Sequence, residues 1–268
     1  MGTDTLNPVR TRTGHGHERI CQVTDEAPAV VEPTFRDDVT VELVRHSAQD
    51  ADVLFAARVS TAGEQSIDEL GKDPARSKGL INYLMRDRHG TPFEHNSMTF
   101  LVSAPIFVFR EFHRHRVGFS YNEESGRYRE LMPVFYVPSA ERKLVQKGRP
   151  GKYEFFEGTP EQHKSVTAAM EESYRQSYAA YQAMLAEGVA REVARAVLPV
   201  GLFSSMYATC NARSLMHFLS LRTKDERAKV PSFPQREIEM VAEKMEREWA
   251  ALMPLTHSAF NEHGRVAP

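Results

Sequence analysis

Cysteine is nearly absent from this chain: two occur in 268 residues, Cys21 and Cys210, in no C-x-x-C pattern. That excludes a disulfide scaffold and a thiolate zinc site, both of which need paired or clustered cysteines. A charge excess is lacking too. Lys and Arg number 34 against 36 Asp and Glu, for a formal net charge of −2, so no global field draws the chain to nucleic acid or anionic lipid. No apolar run approaches the roughly 20 residues that span a bilayer, and the amino terminus has no charged-then-apolar signal pattern. These absences predict a cytoplasmic, soluble protein whose partners include neither a membrane nor a nucleic acid polymer. No G-x-G-x-x-G follows a candidate strand, which argues against a Rossmann fold.

What is present is ordinary in bulk, with 41% apolar and 26% charged residues, enough for one large core. Residues 1–36 hold Thr, Gly, His and Pro without period and read as a flexible extension, leaving 37–268 as the folded domain. Alternation over Val39–Leu43 predicts a strand, and Asp50 is placed to cap a helix ending near Ser60. Asp73-Pro74 starts a second helix that Gly90 should stop. Thr91-Pro92-Phe93-Glu94 has the form of a capping box. Strands are expected at Met98–Val102, Val134–Val137 and Phe203–Cys210. Helices are expected after Pro105, after Thr159-Pro160, through Arg191 and Arg195, after Asn211, and from Gln235 to Leu252. The stripe Tyr174, Tyr178 and Tyr181 reads as core or subunit contact. Strand and helix mix without a doubly wound order, so the predicted class is α+β, a single irregular domain with a central sheet and flanking helices.

One segment outweighs the rest: Arg114-His115-Arg116-Val117-Gly118-Phe119-Ser120-Tyr121-Asn122-Glu123-Glu124-Ser125-Gly126-Arg127-Tyr128-Arg129. Guanidinium forks suit phosphates and carboxylates. Glutamates and an amide suit ring N–H and sugar hydroxyl groups, and glycine admits a ligand close to the backbone. The mixture points to a nucleotide site. A basic helix end alone would be solvated, but it would lack these acceptors. After Asn211, residues Arg213, His217 and Leu221 fall at i, i+4 and i+8, so one helix face presents a cation, an imidazole and a methyl surface, while Leu215, Phe218 and Leu219 point elsewhere.

The segment resembles the signature of flavin-dependent thymidylate synthases, Arg-His-Arg followed after seven or eight residues by Ser; here eight residues separate Arg116 from Ser125. Ala56–Ser60, Thr91–His95, Arg191–Arg195 and Asn211–Arg222 are similar to further blocks of that family, in its order. The resemblance implies FAD and NADPH as cofactors, dUMP and methylenetetrahydrofolate as substrates, and a homotetramer with sites shared between subunits. It implies flavin contacts at Ser60, Thr91, Glu94, Arg114, His115, Arg116, Glu123, Asn211, Arg213, His217 and Leu221. Nucleotide contacts would be Glu111, Phe112, His113, Arg114, Glu123, Glu124, Ser125, Gly126, Arg127, Arg195 and Arg222. Arg222 matches the helical arginine that the family assigns to ionising the uracil N3. The chain departs from the pattern at Glu111, where relatives often hold glutamine, and over Thr223–Pro234, which is longer than in compact relatives.

The residues themselves are consistent with that chemistry. Methylating uracil at C5 by a thiol route needs an activated thiolate. Cys21 lies in the extension, and Cys210 reads as a small core residue in an apolar strand. Hydride chemistry carried by a flavin needs no protein nucleophile. An RNA-binding module built on Arg114–Arg129 is opposed by the interleaved glutamates. A metal hydrolase using His89, His95, His113 and His115 lacks an H-E-x-x-H spacing.

Overall fold

The computed structural model describes residues 31–63, 73–149 and 152–268. Along the chain run β1 (Thr34–Arg36), β2 (Thr40–Ser47), α1 (Asp50–Ala62), α2 (Pro74–Arg86), β3 (Ser97–Pro105), α3 (Ile106–Phe112), β4 (Phe119–Glu123) and β5 (Val134–Tyr136). Then come β6 (Val145–Arg149), β7 (Lys152–Phe156), α4 (Pro160–Ala186), α5 (Arg191–Ala194), β8 (Phe203–Cys210), α6 (Ala212–Arg222), α7 (Arg236–Leu252) and α8 (Pro254–Glu262). Residues 32–268 form one unit, and the class is α+β as expected.

Its spine is an antiparallel sheet in the order β2-β3-β8-β4. Period-two alternation decides which face is buried: Met98, Phe100, Val102 and Ala104 of β3 have no exposed surface. They belong to one core with Leu215, Phe218 and Leu219 of α6 and Ile238, Val241, Met245 and Trp249 of α7. A second core sets Tyr174, Tyr178 and Tyr181 of α4 against Phe135 and Leu202, so the tyrosine stripe is packing.

Several local expectations are corrected. Thr34–Arg36, within the expected extension, form β1 and pair in parallel with β5; residues 1–30 of that extension, Cys21 among them, lie outside the described residues. Asp50 does not cap its own helix. Gln49 is the cap residue of α1, and the Asp50 carboxylate accepts from the Leu255 and Thr256 backbone N–H groups, both at 2.9 Å, satisfying donors at the start of α8. Helix α2 ends at Arg86, one turn before Gly90. Thr91–Glu94 is a single 3₁₀ turn with no side-chain cap, and the Glu94 carboxylate pairs with Arg213 instead. The hairpin β6–β7 and helix α8 were not anticipated, nor was β4, which lies inside the basic motif.

Candidate functional site

Helix α6 carries the centre of the site, and its start is pinned twice. Asn211 Oδ1 accepts from the Ser214 N–H at 2.9 Å, and Asn96 Oδ1 accepts from the Ala212 N–H at 2.8 Å, each satisfying a first-turn donor. With one face buried against the sheet, Arg213, His217 and Leu221 are left on the other side, and Arg222, four residues after buried Phe218, turns toward α3. Leu221 is 59% exposed although it is a large apolar residue.

The turn after α3 is docked on this helix. Gly118 has φ +68°, and a Cβ there would collide with Ser214 Oγ. Only glycine therefore lets the turn pack so closely on α6. The Tyr121 hydroxyl donates to the His115 carbonyl at 2.7 Å and the Phe112 carbonyl at 3.1 Å, tying β4 to the end of α3. Gly118→Ala is expected to cost roughly 1–3 kcal/mol, from the left-handed backbone and the clash together. Denaturant unfolding checks it, and an unchanged midpoint would show that the loop repacks freely.

Docking brings together three residues from α3, the turn and α6. Arg222 donates from Nη1 to Glu111 Oε2 at 2.5 Å, from Nη2 to the Glu111 carbonyl at 3.3 Å, and from Nε to His115 Nε2 at 2.9 Å. The arginine side chain is 16% exposed and the glutamate 35%. Burial, with the charges of Arg222 and His217, holds the His115 imidazole down at about 4. The ring is therefore neutral near pH 7, as it must be for Nε2 to accept from a guanidinium. Burial, Arg213 and Arg88 lower His217 in the same direction.

Two further groups flank this centre. On one side Arg213 donates to Glu94 Oε1 at 2.5 Å and to the Pro268 carbonyl at 2.7 Å. A Cβ at Gly90 would fall on that guanidinium, so only the bare backbone of Gly90 leaves room for it. Helix α1, whose last turn holds Ser60, packs on the Thr91–Glu94 turn, as does α6. On the other side Arg127 pairs with Glu192 and Arg129 with Glu124, each at 3.0 Å. Buried Gly126 sits against Leu131 and the Arg195 stem, which brings Arg195 beside Ser125. Glu123 is exposed at the end of β4, opposite Met206. Arg114, Arg116 and Arg195 are exposed and have no ion-pair partner among the described residues.

Not every expected contact faces this surface. Phe112 is 0% exposed and stacks on Phe218 at 4.6 Å; its side chain is core, so only its backbone is open to a nucleotide role. His113 is exposed, edge-on to Tyr121. Among the described residues no cluster of three or more His, Cys, Asp or Glu is placed to hold a metal. No described helix is long and apolar enough to cross a membrane. Two hollows of about 620 and 770 Å³, at the start of α4 and beside Glu237, are lined by none of the motif residues. Arg88, with φ +61° and its charge felt by His217, was missed; nothing in its local sequence marks it.

The chain matches the thymidylate synthase complementing protein family over residues 42–255. It is 82% identical over 233 residues to a flavin-dependent thymidylate synthase of Streptomyces coelicolor, covering 87% of this chain and 95% of that one. The chain belongs to the flavin-dependent thymidylate synthase family. The fold agrees with crystal structures of a UMP/dUMP methylase, PolB, from Streptomyces cacaoi. The form bound with 5-Br dUMP is 58% identical with a TM-score of 0.83, covering 87% of this chain and 99% of that one. The form bound with 5-Br UMP gives 54% and 0.82, covering 88% and 100%. Every block singled out from Ala56 to Arg222 falls within the matched range.

Proposed function

We propose that the chain converts dUMP to dTMP, with FAD as its flavin, NADPH as reductant and methylenetetrahydrofolate as carbon donor. The observation that carries this reading is the seat of Arg222. A guanidinium keeps its proton at any working pH, so it serves as a fixed positive charge for electron density that develops on the uracil O4 as C5 bonds to the methylene carbon. When bound, the reduced flavin would supply the hydride that completes the methyl group, while the methylene carbon's bond to the folate nitrogen breaks, tetrahydrofolate leaves and the C5 proton is lost. Arg114, Arg127, Ser125 and Arg195 would hold the nucleotide phosphate, with Glu123 and Glu124 on its hydroxyl and ring donors. The Streptomyces cacaoi neighbour carries its brominated nucleotide on the same fold.

The residues present fit a flavin dinucleotide. The α6 ridge of Arg213, neutral His217 and exposed Leu221 offers a cation, an imidazole and apolar surface to a planar ring. Unpaired Arg114 and Arg116 suit a pyrophosphate, with Ser60, Thr91, Glu94 and Asn211 at the margin of the ridge. Val117, Tyr128, Val193 and Leu221, all large and exposed, are close in sequence to these groups. A second copy of the chain would cover them, consistent with a homotetramer that shares its sites.

No thiol is needed. Cys210 is fully buried and desolvation pushes its thiol far up, so it forms no thiolate near neutral pH. The test is dTMP formed from dUMP, FAD, NADPH and methylenetetrahydrofolate, by wild type and by Cys21→Ser/Cys210→Ala. Both are expected to turn over, the variant with a stability loss of about 1 kcal/mol. No dTMP from the wild type would refute the function. Loss confined to a folded, FAD-binding variant would reinstate a thiol.

A further inference from the structure

We infer that the segment Gly264–Pro268 is a strap that aims Arg213 at the flavin, which makes Pro268 a positioning residue of the cofactor site. The inference rests on the flavin reading of the α6 ridge. Gly264 and Arg265 have φ +78° and +54°, and these two left-handed residues turn the chain back after α8. The turn is pinned. The Lys229 N–H donates to the Gly264 carbonyl at 2.9 Å, and the Arg265 N–H to the Phe260 carbonyl at 2.8 Å. The segment then follows α6 backwards: Ser220 Oγ donates to the Arg265 carbonyl at 2.7 Å, and Arg213 Nε to the Pro268 carbonyl at 2.7 Å. The spans agree. Ser220 lies two turns after Arg213, about 10 Å along a helix axis, and an extended chain from 265 to 268 also covers about 10 Å. Ala267 is 2% exposed and Pro268 is buried, so packing fixes the strap as well.

That anchoring decides which edge of Arg213 is offered. A guanidinium has five N–H donors. The Pro268 carbonyl takes the one on Nε, and Glu94 Oε1 takes one on Nη1. The backbone of Gly90 closes a further side, where a Cβ would lie 2.4 Å from Arg213 Cζ and 2.7 Å from Nη2. The other N–H groups on the terminal nitrogens have no partner among the described residues, and the side chain is 34% exposed. They form a fork that is set before a ligand arrives and suits an acceptor of the flavin dinucleotide. Without the strap, Glu94 would hold the guanidinium by one terminal nitrogen only. The long side chain could then swing, and binding would have to immobilise it again. Proline suits the place, because it presents a carbonyl without adding an N–H that burial would leave unpaired.

The experiment measures FAD dissociation constants by flavin fluorescence, with folding checked by urea unfolding. Deleting Pro268 should weaken FAD binding about tenfold, the scale of immobilising one freed side chain again. Pro268→Ala keeps the carbonyl and should bind FAD like wild type. On an Arg213→Ala background the deletion should weaken FAD no further, since the strap acts through that side chain. A segment that merely held the fold together would lose affinity on both backgrounds. Gly90→Ala probes the same guanidinium without touching the strap. Its φ of −77° suits alanine, the added Cβ must displace Arg213, and FAD should again weaken about tenfold. Wild-type affinity after the deletion, an equal loss in Pro268→Ala, or an undiminished loss on the Arg213→Ala background would each overturn the strap and leave the flavin reading standing. If the deletion does not fold, Gly90→Ala decides, and wild-type affinity there overturns the inference. A wild type that binds no FAD would instead refute the flavin reading, and the inference with it.

Discussion

Arg222→Ala is expected to lower dTMP formation by roughly 10²-fold or more, the usual scale for removing one donor aimed at developing negative charge. FAD should still bind stoichiometrically, because the proposed flavin ridge at Arg213, His217 and Leu221 runs along another face of α6. Stability should change little. Glu111 is partly open to water, so its carboxylate can hydrate once the arginine is gone, and His115 is already neutral. Arg222→Lys should rescue poorly. An ammonium is a point charge on a flexible stem and cannot hold His115 Nε2, the Glu111 carboxylate and a substrate oxygen in one plane. Single-turnover dTMP yield beside FAD stoichiometry separates the two roles. Turnover near that of wild type in either variant would remove Arg222 from the chemistry, and parallel loss of FAD would make it a binding residue.

Elements with strong local signals were legible from the chain. Asp73-Pro74 does start α2, with the Arg76 N–H donating to the Asp73 carboxylate at 3.1 Å, and Asn211 does cap α6. The apolar alternation of β3 and the tyrosine spacing of α4 likewise report on their burial. What failed was whatever depends on a distant partner. Strand β4 is rich in polar residues and exists because β8 pairs with it, which no local apolar pattern announces. Asp50 looks like a cap, but it accepts from the first turn of a helix 205 residues further on, at Leu255. Glu94 has capping-box spacing, yet an arginine 119 residues away takes its carboxylate.

The candidate site divides in the same way. The residue types in Arg114–Arg129 and the exposed face of α6 announce ligand chemistry without any structure, since nothing in a core needs unpaired arginines beside glutamates. Their arrangement is another matter. Arg222 lies 107 residues from His115 and 111 from Glu111, and it meets them where Gly118 lets the turn settle on Ser214. The glycines of the motif at 118 and 126 also lie where a Cβ would meet the protein's own side chains, Ser214 at one and Leu131 and Arg195 at the other.

Arg265→Ala is expected to destabilise the fold by roughly 3–5 kcal/mol, the scale for breaking a buried ion pair from one side. Arg265 is 2% exposed, and no local feature of the sequence marks it. It donates to both Glu246 oxygens, at 2.6 and 2.8 Å, to Asn261 Oδ1 at 2.7 Å and to Thr223 Oγ1 at 2.8 Å. Its own carbonyl accepts from Ser220 Oγ at 2.7 Å. It thus clamps the carboxyl end of α6 at the residue following Arg222, and the variant should lose dTMP formation along with stability. Its backbone has φ +54°, but alanine bears the same strain, so the loss belongs to the side chain. The pH dependence identifies the cause. Burial alone would raise the Glu246 carboxyl, but hydrogen bonds from Arg265 and His257 and the arginine charge outweigh it, bringing it from 4.5 to about 2. A depressed carboxylate contributes stability above its unfolded value and loses it as pH falls through the folded one. The deficit of Arg265→Ala should therefore be largest at neutral pH and shrink between about pH 4.5 and 2. Urea unfolding of both proteins across that range is the measurement. A deficit that stays constant down to pH 2 would mean that Arg265 acts by packing alone, and a deficit below about 1 kcal/mol at pH 7, the size of an ordinary point mutation, would remove the clamp from the argument.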